Sequence, residues 1–417
     1  MSGVAHKVVV VGGGIAGVST VAALRAGGYD GSLTLVDAGG LPYDRPPLSK
    51  DYLAGKRGLE QIALQRPEWY DTQSIRLITR ARVAALRPAS GRVELADGTE
   101  LPADRVVLAT GGSAARPPIP GALPISGALP ISGARGSAVH VLRTVDDADR
   151  LRDALPSARR VLVVGAGLIG AEVASTLAGL GCEVVLADPV TRPLSAVVGP
   201  DLAAWLHDQH RARGIHTVAA GLATLTHTSS GVEAALVGEG RARVVDLVVL
   251  GVGMVSDTGL AEAAGLDVDR GVLVDTGQRT SNPAVLAVGD ATRARADGTR
   301  AEHWDAARSD GECAAATLLG RPAPARPTPW FWSDRHGRHV EVVGRMADAD
   351  HTVVRGCFGD EPFAVFGLRG NLVVGAASVD DGHATRTARR LVAGAIPVDA
   401  AQLADPSTNL RRLLRGG

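Results

Sequence analysis

Three glycines and one acid near the start of the sequence have types and a spacing that could bind phosphate groups. Gly12, Gly14 and Gly17 follow a β-branched run, Val8–Val11, and precede an apolar stretch of helical character. At this spacing the first glycine permits a tight turn, the second lets backbone approach a pyrophosphate, and the third lets a helix pack on a strand. The helix N-terminus then offers N–H groups and positive potential to phosphates. Asp37 ends the next predicted strand, where it can accept hydrogen bonds from an adenosine ribose.

The same pattern occurs a second time in the middle of the chain. Gly165, Gly167 and Gly170 again follow an apolar strand and open a predicted helix, and Asp188 ends the strand after that helix. A carboxylate at this position favours the 2′-hydroxyl of NAD and repels the 2′-phosphate of NADP. Arg192 lies four residues further on, so NADP is disfavoured rather than excluded. One chain therefore carries two predicted dinucleotide-binding folds.

The elements around these glycines predict how the chain is divided. Two further strands, one ending at Thr110-Gly111 and one at Gly289-Asp290, suggest an FAD-binding domain that an NAD-binding domain interrupts. After the proline-rich stretch Arg321–Pro329, alternating segments predict an antiparallel sheet, followed by a helix. The predicted fold class is α/β, with two Rossmann-like dinucleotide-binding domains and a C-terminal α+β domain. The predicted ranges are 1–117 and 246–325 for the split FAD domain, 118–245 for the NAD domain and 326–417 for the C-terminal domain.

Composition excludes several classes of function. Lys plus Arg and Asp plus Glu both number 44, so the chain lacks the cationic surplus that nucleic-acid binding requires. No apolar run approaches the length of a membrane span, and no signal-peptide pattern is present, so we expect a cytoplasmic protein without membrane partners. The three cysteines are far apart and form no CxxC, which argues against a dithiol redox centre. No metal site is expected, and the pairs His207/His210 and His336/His339 are predicted to be surface residues.

Several short motifs, taken together and in order, resemble a known family. They are the two glycine motifs, PYDRPPLSKDYL at Pro42–Leu53, LATG, AVGD, AEHWDAA and PWFWSD. The sequence resembles, over nearly its whole length, the FAD-dependent NADH:ferredoxin reductases of the putidaredoxin reductase and rhodocoxin reductase type. Oxygenase-coupled ferredoxin reductases and apoptosis-inducing factor share the fold of this family.

The resemblance implies a role for each matching residue. Residues implied to contact FAD are Gly12, Gly14, Gly17, Asp37, Arg45, Lys50, Thr110, Gly111, Arg116, Asp290 and Trp332. Residues implied to contact NAD are Gly165, Gly167, Gly170, Glu172, Asp188 and Glu302.

Lys50 and Glu172 are the predicted catalytic pair. The hypothesis is that they form an ion pair beside flavin N5, where a compact ammonium stabilises the negative charge that develops during hydride transfer. The alternative is that Lys50 touches a phosphate and Glu172 caps a helix. For the aromatic run, we expect Trp332 to contact the flavin and Phe331 to lie in the core at a domain junction.

The resulting prediction is an enzyme that passes electrons from NADH through FAD to a ferredoxin. Without a dithiol, the acceptor would be a separate protein with a [2Fe–2S] or [3Fe–4S] cluster, which supplies a cytochrome P450 or another oxygenase. Two alternatives stay open: an NADH-dependent reductase of a quinone or of monodehydroascorbate, and a redox-sensing flavoprotein of the apoptosis-inducing-factor type. Four arginines near the proposed mouth could steer an acidic ferredoxin, or could simply be solvated: Arg308, Arg335, Arg338 and Arg345.

Overall fold

The computed structural model describes residues 6–118 and 138–415. The chain divides into two compact units. The first comprises Met1–Arg45, Gly58–Ser113 and Met254–Pro327, and the second comprises Pro46–Arg57, Ala114–Gly253 and Thr328–Gly417. The four domain ranges given above stay predictions. A tandem GALPIS repeat at 121–132 lies outside the described residues.

A five-stranded parallel sheet forms the centre of the first unit. Its strands, in spatial order, are Val285–Ala287, Arg105–Leu108, Lys7–Val11, Ser32–Val36 and Ile75–Ile78. The unit also contains the antiparallel strands Val83–Arg87, Arg92–Leu95 and Glu100–Pro102, the parallel pair Val272–Val274 and Thr292–Ala294, and the strand Met254–Ser256. The strand Gly112–Ala114 begins in this unit, and its last residue is the first of the range Ala114–Gly253. Its helices are Ile15–Ala26, Pro67–Thr72, Gly259–Ala263 and Trp304–Leu318, with short 3₁₀ helices at Leu59–Ile62, Pro88–Ser90 and Gly289–Ala291.

The β-branched run of the central strand is explained by burial on both faces of the sheet. Val8 and Val10 face a cluster that includes the helices Ile15–Ala26 and Trp304–Leu318. Val9 and Val11 face the opposite cluster, which includes the antiparallel strands. A parallel strand that is covered on both sides needs apolar residues at every position, which gives the continuous run seen in the sequence.

The second unit contains a parallel sheet of the same design. Its strands, in spatial order, are His216–Val218, Glu183–Ala187, Arg160–Val164, Leu247–Leu250 and Val139–Val141. A three-stranded antiparallel sheet, Leu222–Thr228, Gly231–Leu236 and Arg243–Val245, packs on one of its faces. The helices of this part are Val145–Ala154, Leu168–Gly179, Ser195–Val198 and Pro200–Arg211, with 3₁₀ helices at Pro46–Ser49 and Leu155–Ser157.

The C-terminal part of the second unit is the predicted antiparallel sheet, which confirms the fold class. Its strands, in spatial order, are Trp330–Arg335, Arg338–Gly344, Leu372–Val379, Asp360–Arg369 and His351–Cys357. The remaining helices are Gly382–Gly394, Ala400–Ala404 and Leu410–Leu413, with a 3₁₀ helix at Met346–Asp348. The aromatic run thus lies in an edge strand that sequence reasoning had not identified.

The prediction that both histidine pairs are surface residues is wrong. His210, on the helix Pro200–Arg211, is buried, and its Nδ1 lies 2.8 Å from Nε2 of the half-buried His336. The backbone N–H of His336 donates to Ser175 Oγ at 2.7 Å. Burial lowers the pKa of both histidines, and nearby Arg335 lowers them further. The two rings therefore form a neutral hydrogen-bonded pair that joins the helix to the turn after the first strand of the C-terminal sheet.

This pair should make the protein acid-sensitive. Below pH 6.5 both rings stay neutral in the folded state, whereas each binds a proton in the unfolded state. The pair therefore contributes its full stability above pH 6.5, and the free energy of unfolding decreases as the pH falls below that value. Urea unfolding of wild type at pH 7.5 and 5.5 should show this loss. At pH 7.5, His210→Phe should lower the free energy of unfolding by about 1–3 kcal/mol, because it leaves His336 without its partner. Between pH 7.5 and pH 5.5, the variant should lose less of its free energy of unfolding than wild type does. An equal loss in both proteins would contradict the assignment.

Candidate functional site

In the first glycine turn, neighbouring atoms leave no room for a side chain at two of the glycines, whereas the space beside the middle glycine is open. Gly12 has φ +111°, and a Cβ built there would lie 2.2 Å from the carbonyl oxygen of Ala109. A Cβ at Gly17 would lie 1.9 Å from the carbonyl oxygen of Gly12. At Gly14, by contrast, no atom of the described chain lies within 4 Å of such a Cβ. Packing therefore requires the first and third glycines, whereas the space at the second fits the approach of a phosphate to the helix N-terminus.

Asp37 supports this turn directly. One carboxylate oxygen accepts the N–H of Gly13 at 2.5 Å, and the other accepts the N–H of Gly39 at 2.6 Å. Sequence reasoning assigned this acid only to a ribose, and missed that it also fixes the glycine turn. An ionised carboxylate accepts about four hydrogen bonds, so capacity for a ribose hydroxyl is left.

The second glycine turn repeats this geometry in the second unit. Gly165 has φ +97°, and Cβ atoms at Gly165 and Gly170 would lie 2.3 Å and 1.9 Å from carbonyl oxygens. A Cβ at Gly167 would again have no atom of the described residues within 4 Å. Asp188 accepts the N–H groups of Ala166 at 2.7 Å and of Val190 at 2.8 Å. The residues of both turns thus fit a dinucleotide pyrophosphate.

Other residues predicted to contact FAD lie at the same edge of the first parallel sheet. Thr110 and Gly111 follow the strand Arg105–Leu108, and Thr110 Oγ1 donates to the carbonyl oxygen of Asp257 at 2.7 Å. Asp290 lies in the 3₁₀ helix that follows the strand Val285–Ala287. Since parallel strands end at a common edge, these residues lie on the side of the sheet where Gly12 begins its turn.

Three more predicted contacts are placed as follows. Arg45 is half-buried and directly precedes the 3₁₀ helix Pro46–Ser49. Arg116 is exposed after the strand Gly112–Ala114. The carboxylate of Glu302 pairs with Arg300 at 2.6 Å. Their contacts with FAD or NAD stay predictions.

The ion pair expected between Lys50 and Glu172 is present in the second unit. Lys50 Nζ lies 3.3 Å from Glu172 Oε1 and 2.9 Å from Asp334 Oδ2. Lys50 follows the 3₁₀ helix Pro46–Ser49, Glu172 lies on the helix Leu168–Gly179, and Asp334 lies on the strand Trp330–Arg335. Three separate segments thus meet at one ammonium group. The place of this pair beside a flavin stays a prediction.

The carboxylate of Glu172 is buried and takes part in four polar contacts. Its side chain is 3% exposed. Besides Lys50, it accepts hydrogen bonds from Ser49 Oγ at 2.5 Å, Ser333 Oγ at 2.8 Å and the backbone N–H of Asp334 at 3.1 Å. Burying a carboxylate is costly unless it is paired and hydrogen-bonded, and these donors offset that cost. Sequence reasoning missed both serines and Asp334, although all three lie inside the motifs RPPLSK and PWFWSD.

Successive side chains of the edge strand Trp330–Arg335 point to opposite faces of the sheet, so Phe331 lies on a different face from Trp330 and Trp332. The Trp332 ring lies 5.8 Å from Lys50 Nζ, within range of a cation–π interaction, and 5.1 Å from the Trp330 ring. Phe331 packs in the cluster that contains Val342 and Phe363, as expected for a core residue. Trp332 therefore contributes to the environment of the ammonium group, and its contact with a flavin stays a prediction.

Asp334 connects the buried pair to an exposed histidine. His339 Nδ1 lies 2.5 Å from Asp334 Oδ1. Burial would raise the pKa of Asp334, but hydrogen bonds from His339 and Lys50 outweigh burial and hold the pKa at about 2. The hydrogen bond with Asp334 raises the pKa of His339. The group opens onto a cleft of about 740 Å³, whose lining also includes Lys56, Arg213 and Arg338.

The four arginines that could have formed a cationic rim are buried or paired with acids. Arg335 is 4% exposed, and burial lowers its pKa to about 10. Arg308 pairs with Asp305 and Glu312. The other two are also paired: Arg338 with Glu361 and Asp380, and Arg345 with Asp348. Arg335 is thus part of the interior, and the rest are neutralised locally.

One buried acid of the first unit was not assigned a role from the sequence. Asp310 is 4% exposed, and burial raises its pKa to about 6. It accepts hydrogen bonds from Gln278 Nε2 at 3.0 Å and from the backbone N–H of Gly289 at 3.3 Å. Asp310 therefore supports the turn that carries Asp290. No sequence motif marks this role, which depends on the packing of the helix Trp304–Leu318.

Residues 6–118 and 138–415 contain neither a candidate metal centre nor a candidate membrane span. In these ranges no three His, Cys, Asp or Glu side chains are grouped so that they could hold a metal ion. None of the helices in the same ranges has the length and apolarity of a membrane span.

Comparison with known proteins identifies the family. Residues 6–311 match the pyridine nucleotide-disulphide oxidoreductase family, and residues 330–414 match the Reductase C-terminal family. The ferredoxin–NAD(+) reductase component of the anthranilate 1,2-dioxygenase system of Burkholderia cepacia is 39% identical, over 98% of this chain and 100% of that protein. Putidaredoxin reductase of Pseudomonas putida is 35% identical, over 98% of this chain and 96% of that protein.

A solved structure agrees with these sequence matches. The crystal structure of the covalent putidaredoxin reductase–putidaredoxin complex has a TM-score of 0.88 at 32% identity, and the match covers 98% of each chain. The two glycine turns, the antiparallel C-terminal sheet and these matches lead to the same assignment: the chain belongs to the pyridine nucleotide-disulphide oxidoreductases, among the ferredoxin reductases of the putidaredoxin reductase and rhodocoxin reductase type.

Proposed function

We propose that this protein binds FAD and NADH and passes electrons from NADH to a ferredoxin that supplies an oxygenase. The observation that carries the proposal is the pair of glycine turns, Gly12–Gly17 and Gly165–Gly170, which have the same geometry and the same open position in one chain. Two such turns fit two dinucleotides, as a transfer between a nicotinamide and a flavin requires. Relatives at 35–39% identity are named as ferredoxin–NAD(+) and putidaredoxin reductases, which supports the choice of acceptor.

A bound flavin would accept a hydride from NADH and release the two electrons singly to an iron–sulfur acceptor. The chain contributes binding and electrostatics to this chemistry. The first turn would hold the pyrophosphate of FAD, and Asp37 the adenosine ribose. The second turn would hold NADH, with Asp188 disfavouring the 2′-phosphate of NADPH. Lys50 would provide a fixed positive charge where negative charge develops, and Glu172 would hold Lys50 in position.

The cysteines support a separate protein as the acceptor. Cys182 and Cys313 carry thiols whose pKa burial raises, so neither is an activated thiolate at neutral pH. The sequence has no CxxC that could take electrons from the flavin as a disulfide. An acceptor outside the chain is therefore required, and a ferredoxin is of the right chemical class because it takes one electron at a time.

The most direct test of this function is an acceptor assay. NADH-driven reduction of cytochrome c by the purified protein should rise severalfold when a [2Fe–2S] or a [3Fe–4S] ferredoxin is added, because the ferredoxin carries single electrons from the flavin. Parallel assays should use a quinone and monodehydroascorbate as acceptors. Faster turnover with either of these, and no stimulation by any ferredoxin, would contradict the proposal.

Alanine substitutions in the first glycine turn should separate binding from folding. Gly14→Ala adds a methyl group to open space, so the protein should fold normally but should lose FAD, because the methyl occupies the position of the pyrophosphate. Gly17→Ala places its methyl group 1.9 Å from a carbonyl oxygen and should reduce soluble yield or thermal stability itself. Flavin absorbance and thermal unfolding measure the two effects. A yellow Gly14→Ala protein with wild-type FAD affinity would count against the assignment of the turn.

Removal of the Lys50 ammonium group should slow the chemical step without releasing the cofactor. Lys50→Met keeps an unbranched side chain close to the length of the lysine stem but removes the charge, and should reduce the rate of flavin reduction by NADH about 100-fold, the size expected for losing one preorganised electrostatic group. Lys56→Met, an exposed lysine on the same segment, is the matched control and should react at the wild-type rate. Stopped-flow reduction and FAD content are the measurements. A Lys50→Met protein that is reduced as fast as the control would remove Lys50 from the mechanism.

A further inference from the structure

The carboxylate of Asp334 is shared between two basic groups. Its Oδ2 lies 2.9 Å from Lys50 Nζ, and its Oδ1 lies 2.5 Å from His339 Nδ1. Exposure rises along this series: the side chain of Lys50 is 16% exposed, that of Asp334 is 41% exposed and that of His339 is 45% exposed. The histidine is therefore the most exposed of the three side chains.

We propose that His339 is a positioning residue that sets, through the shared Asp334 carboxylate, how much negative charge acts on the Lys50 ammonium group. This inference rests on the proposed function, because it assigns a consequence to the charge of Lys50. Its structural part, the coupling between His339 and Lys50, concerns only the protein's own side chains and can be tested without any electron acceptor.

The charges around Lys50 show why one proton matters. Lys50 lies between the carboxylates of Glu172 and Asp334, so the formal charges of these three side chains sum to −1. The buried Arg335 interacts with Glu172 and adds a positive charge that stays constant near neutral pH. A protonated His339 adds one further positive charge and donates a charge-assisted hydrogen bond to Asp334. The carboxylate then directs less of its negative charge at Lys50. The protonation state of an exposed ring is thus transmitted to a half-buried ammonium group through two direct contacts.

Two acidic neighbours of His339 favour its protonation as Asp334 does, and the adjacent cation is already paired. Glu341 and Asp380 favour its protonated form, and the backbone N–H of His339 donates to Asp380 Oδ1 at 2.8 Å. Arg338, the adjacent cation, lies 3.1 Å from Glu361 and 3.7 Å from Asp380. The lining of the cleft also includes Lys56, Arg213, Asp51 and His336. None of these other groups links His339 to Lys50 in the described structure, whereas Asp334 contacts both.

The expected consequence is a pH-dependent rate of flavin reduction. Adding electrons to a flavin adds negative charge, which the group opposes less once His339 has added one positive charge to it. Reduction by NADH should therefore be faster below the pKa of His339 than above it. The expected change in the rate of flavin reduction is roughly threefold to tenfold, the size expected when one charge acts through partly solvated protein.

The first experiment measures the coupling itself, by NMR titration of histidine side chains in the FAD-loaded protein. In wild type the His339 pKa should exceed that of an ordinary histidine, and Asp334→Asn should lower it. Lys50→Met should raise it further, because it removes a cation that competes for Asp334. An unchanged His339 pKa in Lys50→Met would overturn the inference, whichever electron acceptor the protein uses.

The second experiment measures the consequence, as the pH profile of stopped-flow flavin reduction by NADH. Wild type should show an inflection at the pKa that NMR assigns to His339, and His339→Gln should lack it. His351→Gln removes an exposed histidine from another strand of the same sheet and should keep the inflection. An inflection that survives His339→Gln would overturn the inference. If NADH fails to reduce the flavin while the NMR coupling is present, the proposed function fails and the charge coupling stands.

Discussion

The buried carboxylate of Glu172 is the constraint on which the charged part of this protein depends. A carboxylate that is 3% exposed must find donors inside the protein, and here they come from Ser49 and Lys50, from Ser333, and from the backbone of Asp334. These donors belong to segments that lie more than 100 residues from Glu172 in either direction. One acid thus fixes the relative positions of the Lys50 segment, the second glycine helix and the edge strand of the C-terminal sheet.

This constraint also distinguishes the two glycine turns, which otherwise share their geometry. Both turns require their first and third glycines for packing, and each is fixed by an aspartate that accepts backbone N–H groups. The position two residues after the third glycine is Glu172 in the second helix but Ser19 in the first. Only the second helix therefore carries an acid that can anchor a lysine. The two copies of the glycine turn therefore differ in whether a charged group follows the third glycine.

Features that depend on local sequence could be predicted, and features that depend on distant packing could not. Glycine spacing, β-branched runs and alternation define the turns and sheets, because the spacing of side chains along a helix or strand is fixed. The burial of His210 and Arg335 depends on a helix meeting a sheet that follows more than 100 residues later. The family motifs predicted the Lys50–Glu172 pair, but its further donors and the link from Asp334 to His339 required the three-dimensional structure.

Lys50 and Glu172 are proposed to act as a single functional unit, and a double-mutant cycle on the rate of flavin reduction by NADH tests this most directly. If Glu172 acts by holding Lys50 in place, the Lys50→Met/Glu172→Gln protein should be about as slow as Lys50→Met alone, so that the effects of the two single substitutions do not add. Effects that add in full would show that the two residues act independently, and would contradict the account.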